Sequence, residues 1–179
     1  SFVAIDYTPE AIESALARTV MKREKLNFQV DNFDTMCFPK NYFDGIISID
    51  TLYMPYDLEV TLHTLTDFLK PGGIFTASYM SFISDSKADR SELLAANTPL
   101  GKCLTSLSIP FEVQDFSCQT YNMMQRKYQL AEHFKSEFLN EGNEMLYTFI
   151  IAESLSQQDP YNPDTCPLSR YLYYFRKPE

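Results

Sequence analysis

Phe2-Val3-Ala4-Ile5-Asp6-Tyr7-Thr8-Pro9-Glu10 is an apolar run closed by an acid and followed at once by a helix start. Residues 1–6 are too few for a helix and suit a buried parallel strand. Thr8 fits the N-cap, Pro9 the first helical position, and Glu10 the positive end of the helix dipole. Ile12, Ala15, Leu16 and Val20 then fall on one helical face. A strand that hands over to an amphipathic helix is half of a crossover unit, so the sequence beyond it should supply the other half.

It does. Residues 26–31 read as a second strand, and residues 34–42 as a loop broken by Pro39 and Asn41. Phe43-Asp44-Gly45-Ile46-Ile47-Ser48-Ile49-Asp50 is a third strand, apolar enough after Gly45 to be covered on both faces. Leu58, Leu62, Leu65 and Leu69 form a helical stripe. The turn Lys70-Pro71-Gly72-Gly73 ends that helix, and residues 74–79 form a fourth strand. Alternating strands and helices predict an α/β fold with a mostly parallel sheet and flanking helices. No internal repeat or low-complexity segment interrupts it.

Beyond Ser81 the pattern loosens. Residues 84–98 are polar loop, residues 98–107 a helix, and residues 111–116 a further strand. A long helix over 120–139 carries Met124, Ala131, Phe134 and Phe138 roughly on one face, and residues 144–156 are helical again after Gly142-Asn143. Arg170-Tyr171-Leu172-Tyr173-Tyr174-Phe175 closes the chain as an aromatic strand. The organisation is one domain over 1–179: a ligand-binding half at 1–80, a connection and strand at 81–119, a helical cap inserted at 120–158, and a final strand at 168–177.

Apolar residues make up 45% and charged residues 22% of the 179, as expected of a folded domain and not of a disordered one. The net charge of −9 argues against a general nucleic-acid binder. The basic cluster Lys22, Arg23 and Lys25 complements the end of the first helix. Cys37, Cys103, Cys118 and Cys166 are too far apart to read as a metal or redox motif, and are expected to be small buried hydrophobes. No apolar run approaches the roughly 20 residues that span a bilayer. The opening residues do not read as a secretory signal, and a Ser at position 1 fits a clipped start. The expectation is an acidic cytoplasmic domain with no membrane and no nucleic-acid partner.

Ligands of open α/β sheets sit beyond the carboxyl ends of the strands. Asp6, Asp31 and Asp50 each fall at such an end, where a carboxylate accepts two hydrogen bonds from a ribose diol. Asp6 is equally suited to being a turn residue near a helix start. His63 reads as a surface residue of its helix, and His133 lies in the cap. Tyr79, Phe82, Tyr121, Tyr128 and Tyr147 read first as core and only then as an acceptor pocket.

Four of these segments together resemble the second to fifth strands of a class I, Rossmann-like S-adenosylmethionine-dependent methyltransferase of small-molecule type: residues 2–10, residues 28–33, residues 43–50, and Phe68-Leu69-Lys70-Pro71-Gly72-Gly73-Ile74-Phe75. The resemblance is fairly specific over residues 2–80 and looser afterwards. It implies that Asp6, with Tyr7 beside it, holds the ribose of S-adenosylmethionine. Asp31 would receive the adenine amino group while the backbone of Asn32, beside Phe33, meets the ring. Asp50, Thr51 and Tyr53 would line the end where the cofactor and a small-molecule N, O or S acceptor meet. It implies a direct displacement that needs alignment and exclusion of water more than a dedicated catalytic group; the catalytic residue is left unassigned, and no metal is expected.

The resemblance also implies a first strand with an acid-x-Gly-x-Gly loop just before Ser1, so the domain reads as N-terminally incomplete. The five glycines, at 45, 72, 73, 101 and 142, do not supply that loop. Truncation is the expected reason, with a homo-oligomer or a partner chain completing the sheet as the other expectation. Two further readings stand beside methyl transfer: a non-catalytic interaction subunit, and an NAD-dependent oxidoreductase, because an acid after a second strand also serves NAD.

Overall fold

The computed structural model describes residues 1–21, 23–84, 89–154 and 159–179. Lys22 of the basic cluster, residues 85–88 of the polar loop and residues 155–158 at the end of the cap lie outside the described residues.

The strands are β1 (Phe2–Asp6), β2 (Leu26–Val30), β3 (Phe43–Ile49), β4 (Leu69–Phe82), β5 (Glu112–Asp115) and β6 (Leu168–Arg176). The helices are α1 (Pro9–Arg18), α2 (Leu58–Phe68), α3 (Pro99–Ser106), α4 (Ser117–His133), α5 (Lys135–Asn140) and α6 (Glu144–Glu153). β1 and β2 pair in parallel, as do β3 and β4; β6 returns antiparallel between β4 and β5. The strand orders are therefore β1-β2 and β3-β4-β6-β5. The α/β, Rossmann-like architecture expected from the sequence is present, with α4–α6 inserted before the last strand.

One core joins the two sheets. Leu62, Leu69, Phe75, Leu100 and Tyr173 are sealed from solvent, with Ile5 of β1 and Ile46 of β3 packed against the same cluster. Asp57 caps α2 by accepting from the Val60 N–H at 3.0 Å, and the stripe Leu62, Leu65, Phe68 turns inward. A smaller cluster of Tyr121, Cys166 and Leu168 seats α4 on the start of β6.

Several expectations are corrected. α1 ends at Arg18, so Val20 lies outside the helix and is exposed. Arg23 still serves that end, its Nη1 donating to the Leu16 carbonyl at 2.9 Å. Lys70-Pro71-Gly72-Gly73 is not a turn between a helix and a strand. α2 runs straight into β4, and residues 70–73 bulge out between the pairs Phe43–Leu69 and Gly45–Ile74. Gly72 has φ +72°, and a Cβ on Gly73 would stand 2.8 Å from the Lys70 carbonyl oxygen, so both glycines are required by the bulge. Their backbone bonds reciprocally with Lys177 at 2.9 Å, which locks the chain end onto β4.

β3 is not covered on both faces. Ser48 is buried, but Ile47 and Ile49 are 71% and 56% exposed, because no helix among the described residues packs on their side. The long cap helix divides at Phe134 into α4 and α5, leaving Phe134 exposed while Ala131 is buried. Of the cysteines only Cys166 is buried. Cys37 in its loop and Cys118 in the first turn of α4 are exposed, and all four thiols are free. No helix among the described residues is long and apolar enough to cross a membrane.

Candidate active site

The loops that follow β1, β2 and β3 meet on one side of the molecule. The Asp31 N–H donates to the Asp6 carbonyl at 3.0 Å, extending the β1–β2 pairing past the last strand residue. The Tyr56 N–H, in the segment after β3, donates to Asp34 Oδ1 at 3.1 Å in the segment after β2. Asp6 ends β1, Asp31 follows β2 and Asp50 follows β3.

Asp6 has a local duty as well. Its Oδ1 accepts from the Thr8 N–H at 2.8 Å, an Asx turn that starts α1 in place of any bond from the Thr8 side chain. The turn bond leaves acceptor positions free, since a carboxylate has two oxygens and about four acceptor positions. Tyr7 beside it is exposed. Asp31 Oδ1 accepts from the Asn32 N–H at 2.9 Å and from Thr35 Oγ1 at 3.3 Å. Asn32 Oδ1 in turn accepts from the N–H groups of Asp34 and Thr35. The loop is therefore pre-formed, and the Asn32 N–H expected to meet a base is bonded to its own neighbour. Phe33 is half-buried and packs toward the core.

At the end of β3 the chain turns sharply. Asp50 has φ +51°, a left-handed conformation that a non-glycine residue enters at a cost of about 1 kcal/mol. Its N–H donates to the Ser78 carbonyl at 3.3 Å and to Ser78 Oγ at 3.2 Å. Ser78 Oγ donates back to Asp50 Oδ1 at 2.9 Å. Asp50 Oδ2 pairs with the Arg170 guanidinium, which reaches across β4 from β6. Thr51 Oγ1 shares a hydrogen bond with Ser48 Oγ at 2.7 Å.

Tyr53 packs against Tyr79 with ring centroids 4.5 Å apart, and its hydroxyl accepts from the Met80 N–H at 2.5 Å. Partial burial pushes the Tyr53 phenol up to about 12, with the Asp50 charge adding to the effect and the Met80 bond opposing it. Burial also raises the Tyr79 phenol. Beside Tyr79 a cleft of about 320 Å³ runs along Met80–Ile83 to Glu92, Leu93 and Pro99. A second cleft of about 440 Å³ lies between Phe33–Met36 and the start of α2.

Among the aromatics, Tyr79 and Tyr121 are buried, Tyr128 and Tyr147 are half-buried, and Phe82 is exposed. His63 is exposed on α2, and His133 is exposed against Phe134. No group of three or more His, Cys, Asp or Glu among the described residues is arranged to hold a metal. The sequence reading missed Ser78 and Arg170. Nothing local marks them, because Thr76 and Ser81 are also polar in β4, and Ser169 and Arg176 in β6.

The arrangement offers carboxylates to hydroxyl and amino groups along one rim and an aromatic wall with a charge pair at its end. A family model described as a methyltransferase domain matches residues 1–153. The chain is 25% identical over 158 residues to phosphoethanolamine N-methyltransferase 1 of Arabidopsis thaliana, covering 83% of this chain and 32% of the relative. It matches the structure of Haemonchus contortus phosphoethanolamine N-methyltransferase 2, solved with phosphomonomethylethanolamine and S-adenosylhomocysteine. The TM-score is 0.76 at 15% identity, over 99% of this chain and 43% of that one. The cyclopropane synthase MmaA2 of Mycobacterium tuberculosis also matches, with a TM-score of 0.69 at 9% identity over 98% of this chain and 69% of that one. The chain thus spans about a third of the length of the curated relative.

Proposed function

The chain belongs to the methyltransferase domain family, and from that premise we propose that the protein transfers a methyl group from S-adenosylmethionine to a small-molecule acceptor, an amine in particular. One observation carries the reading: the acid-bearing ends of β1, β2 and β3 converge, through the Asp31–Asp6 and Tyr56–Asp34 bonds. The donor set fits the cofactor. Carboxylates at Asp6 and Asp31 accept from ribose hydroxyls and an adenine amino group, while Tyr7 and Phe33 offer ring faces to the base. When bound, the cofactor supplies an electrophilic methyl on a sulfonium sulfur.

In this reading Asp50, Thr51 and Tyr53 line the reacting end, and α4–α6 cap the acceptor. Displacement at the methyl carbon asks the protein for alignment and exclusion of water more than for a proton-transfer group. Tyr53 stays protonated at neutral pH and holds the Met80 backbone, which suits a wall better than a base. The amine acceptor is favoured by the names of the two relatives, both phosphoethanolamine N-methyltransferases.

None of the five glycines lies at the convergent strand ends. We assign the glycine-rich cradle to a strand supplied by further residues of the protein or by a partner chain, lying between β1 and β3. The uncovered Ile47 and Ile49 would suit a helix supplied together with that strand, and they equally favour the second reading, a non-catalytic subunit that binds another chain by this face. The free thiols favour a cytoplasmic setting.

Thermal melts of the whole protein with S-adenosylhomocysteine and with NAD test the proposal. Protection by S-adenosylhomocysteine alone supports it. Protection by NAD alone moves the protein to oxidoreductases, and protection by neither favours the interaction subunit.

A further inference from the structure

We infer that Arg170 is a specificity-determining residue: with Asp50 it forms a charge pair that receives an acceptor bearing both an amine and an anionic group. The inference rests on the reading of the β3 end as the acceptor site. Among the ion pairs of the described residues Arg170 is the most buried cation, its side chain 23% exposed. Its backbone is fixed from both sides. β6 pairs Arg170 with Met80 of β4, Ser117 Oγ accepts from its N–H at 3.0 Å, and its carbonyl accepts from the Phe116 N–H at 2.7 Å. Only the long side chain is left to move, on a base tied to the first turn of the cap.

Asp50 is fixed too. The left-handed backbone and the Ser78 hydroxyl aim its carboxylate over β4, with one oxygen on Ser78 and the other on Arg170. Tyr53 and Tyr79 stand beside it. A guanidinium has five donors in a planar fork suited to a carboxylate or phosphate, and a carboxylate accepts from an ammonium. A ligand with both charges exchanges partners with the pair, so every charge remains compensated. A ligand with the amine alone takes Asp50 and leaves Arg170 partly buried and unpaired, which is costly. Selection therefore comes from the penalty on the wrong ligand as much as from contact with the right one.

The test is calorimetric titration of the whole protein with phosphoethanolamine, glycine and ethanolamine, with inorganic phosphate on the variants. At least one of the two zwitterions should bind about tenfold more tightly than ethanolamine, the scale of a charge-assisted hydrogen bond. Which one binds tells a phosphate acceptor from a carboxylate acceptor. Arg170→Met should bring the zwitterion down to the ethanolamine level. Asp50→Asn, which keeps the side-chain shape, should free the guanidinium and tighten inorganic phosphate about threefold or more. It decides the matter if Arg170→Met fails to fold. Equal binding of zwitterion and ethanolamine, no binding of any probe, or unchanged phosphate affinity in Asp50→Asn overturns the inference. S-adenosylhomocysteine titrated in parallel keeps the readings apart. Its binding without zwitterion preference sinks this inference alone, and zwitterion preference without it sinks only the methyl-transfer reading.

Discussion

The Asp31 amide donates to the Asp6 carbonyl at 3.0 Å, so two acids that are 25 positions apart in sequence are coupled by one backbone hydrogen bond at the end of a parallel pair. Movement of either strand end moves both acids, so a ligand that contacted one would be referenced to the other.

Asp6→Ala in the whole protein should weaken S-adenosylhomocysteine by about 1–3 kcal/mol, the cost of removing a charged acceptor from hydroxyl donors. Asp6→Asn separates ligand contact from turn stability, because its side-chain oxygen still accepts from the Thr8 N–H. Isothermal titration should show an intermediate loss for Asn and an unshifted melting temperature. Unchanged affinity in both variants would remove Asp6 from the site.

Tyr53 predicts an alkaline weakness. Its phenol ionises at about 12 in the folded state against 10 in the unfolded chain. Between those values the unfolded state has lost the proton that the folded state keeps, so stability falls as pH rises through that window. The contribution is complete below pH 10. Denaturant melts at pH 9, 10 and 11 should show a steeper decline for wild type than for Tyr53→Phe. Parallel slopes would mean that the phenol is no harder to ionise in the fold than outside it.

The strand-helix order was legible because its signals are local: Pro9 after Thr8, the leucine stripe of α2, and the apolar runs of β1 and β3. The three acids could be placed because strand ends follow from those runs. The charge pair could not. Asp50 and Arg170 are 120 positions apart and meet only because β6 returns antiparallel beside β4, and register across a long insertion leaves no local trace. Lys70-Pro71-Gly72-Gly73 was misread for a related reason. Its residues favour a turn, and only pairing with β3 and with Lys177 makes them a bulge within a strand.

Gly101 should be the least tolerant glycine. A Cβ there would sit 1.9 Å from the Ala95 carbonyl oxygen, which already accepts from the Tyr173 hydroxyl at 2.8 Å. Backbone must shift, so Gly101→Ala should cost about 3 kcal/mol. Tyr173→Phe removes hydrogen bonds to Thr98 and Ala95 in the same node and should cost about 1–2 kcal/mol. Urea melts measure both. A loss under about 1 kcal/mol for Gly101→Ala would mean that the 95–97 turn yields easily and does not anchor α3.

The two isoleucines of β3 separate a chain that stands alone from one that is completed. Leu62, sealed in the core, should lose about 3 kcal/mol on truncation to Ala in any context. Ile47→Thr and Ile49→Thr, on the uncovered face, should each stay within about 0.5 kcal/mol in residues 1–179 alone, as surface changes do. If further residues or a partner chain cover that face, the same substitutions should cost more than about 1 kcal/mol in the complete assembly, since each then removes buried apolar area. Denaturant melts of the same variants in both settings give the comparison. Equal small losses in both would leave the face open to solvent, and no helix or partner surface supplied with the proposed strand would then cover β3.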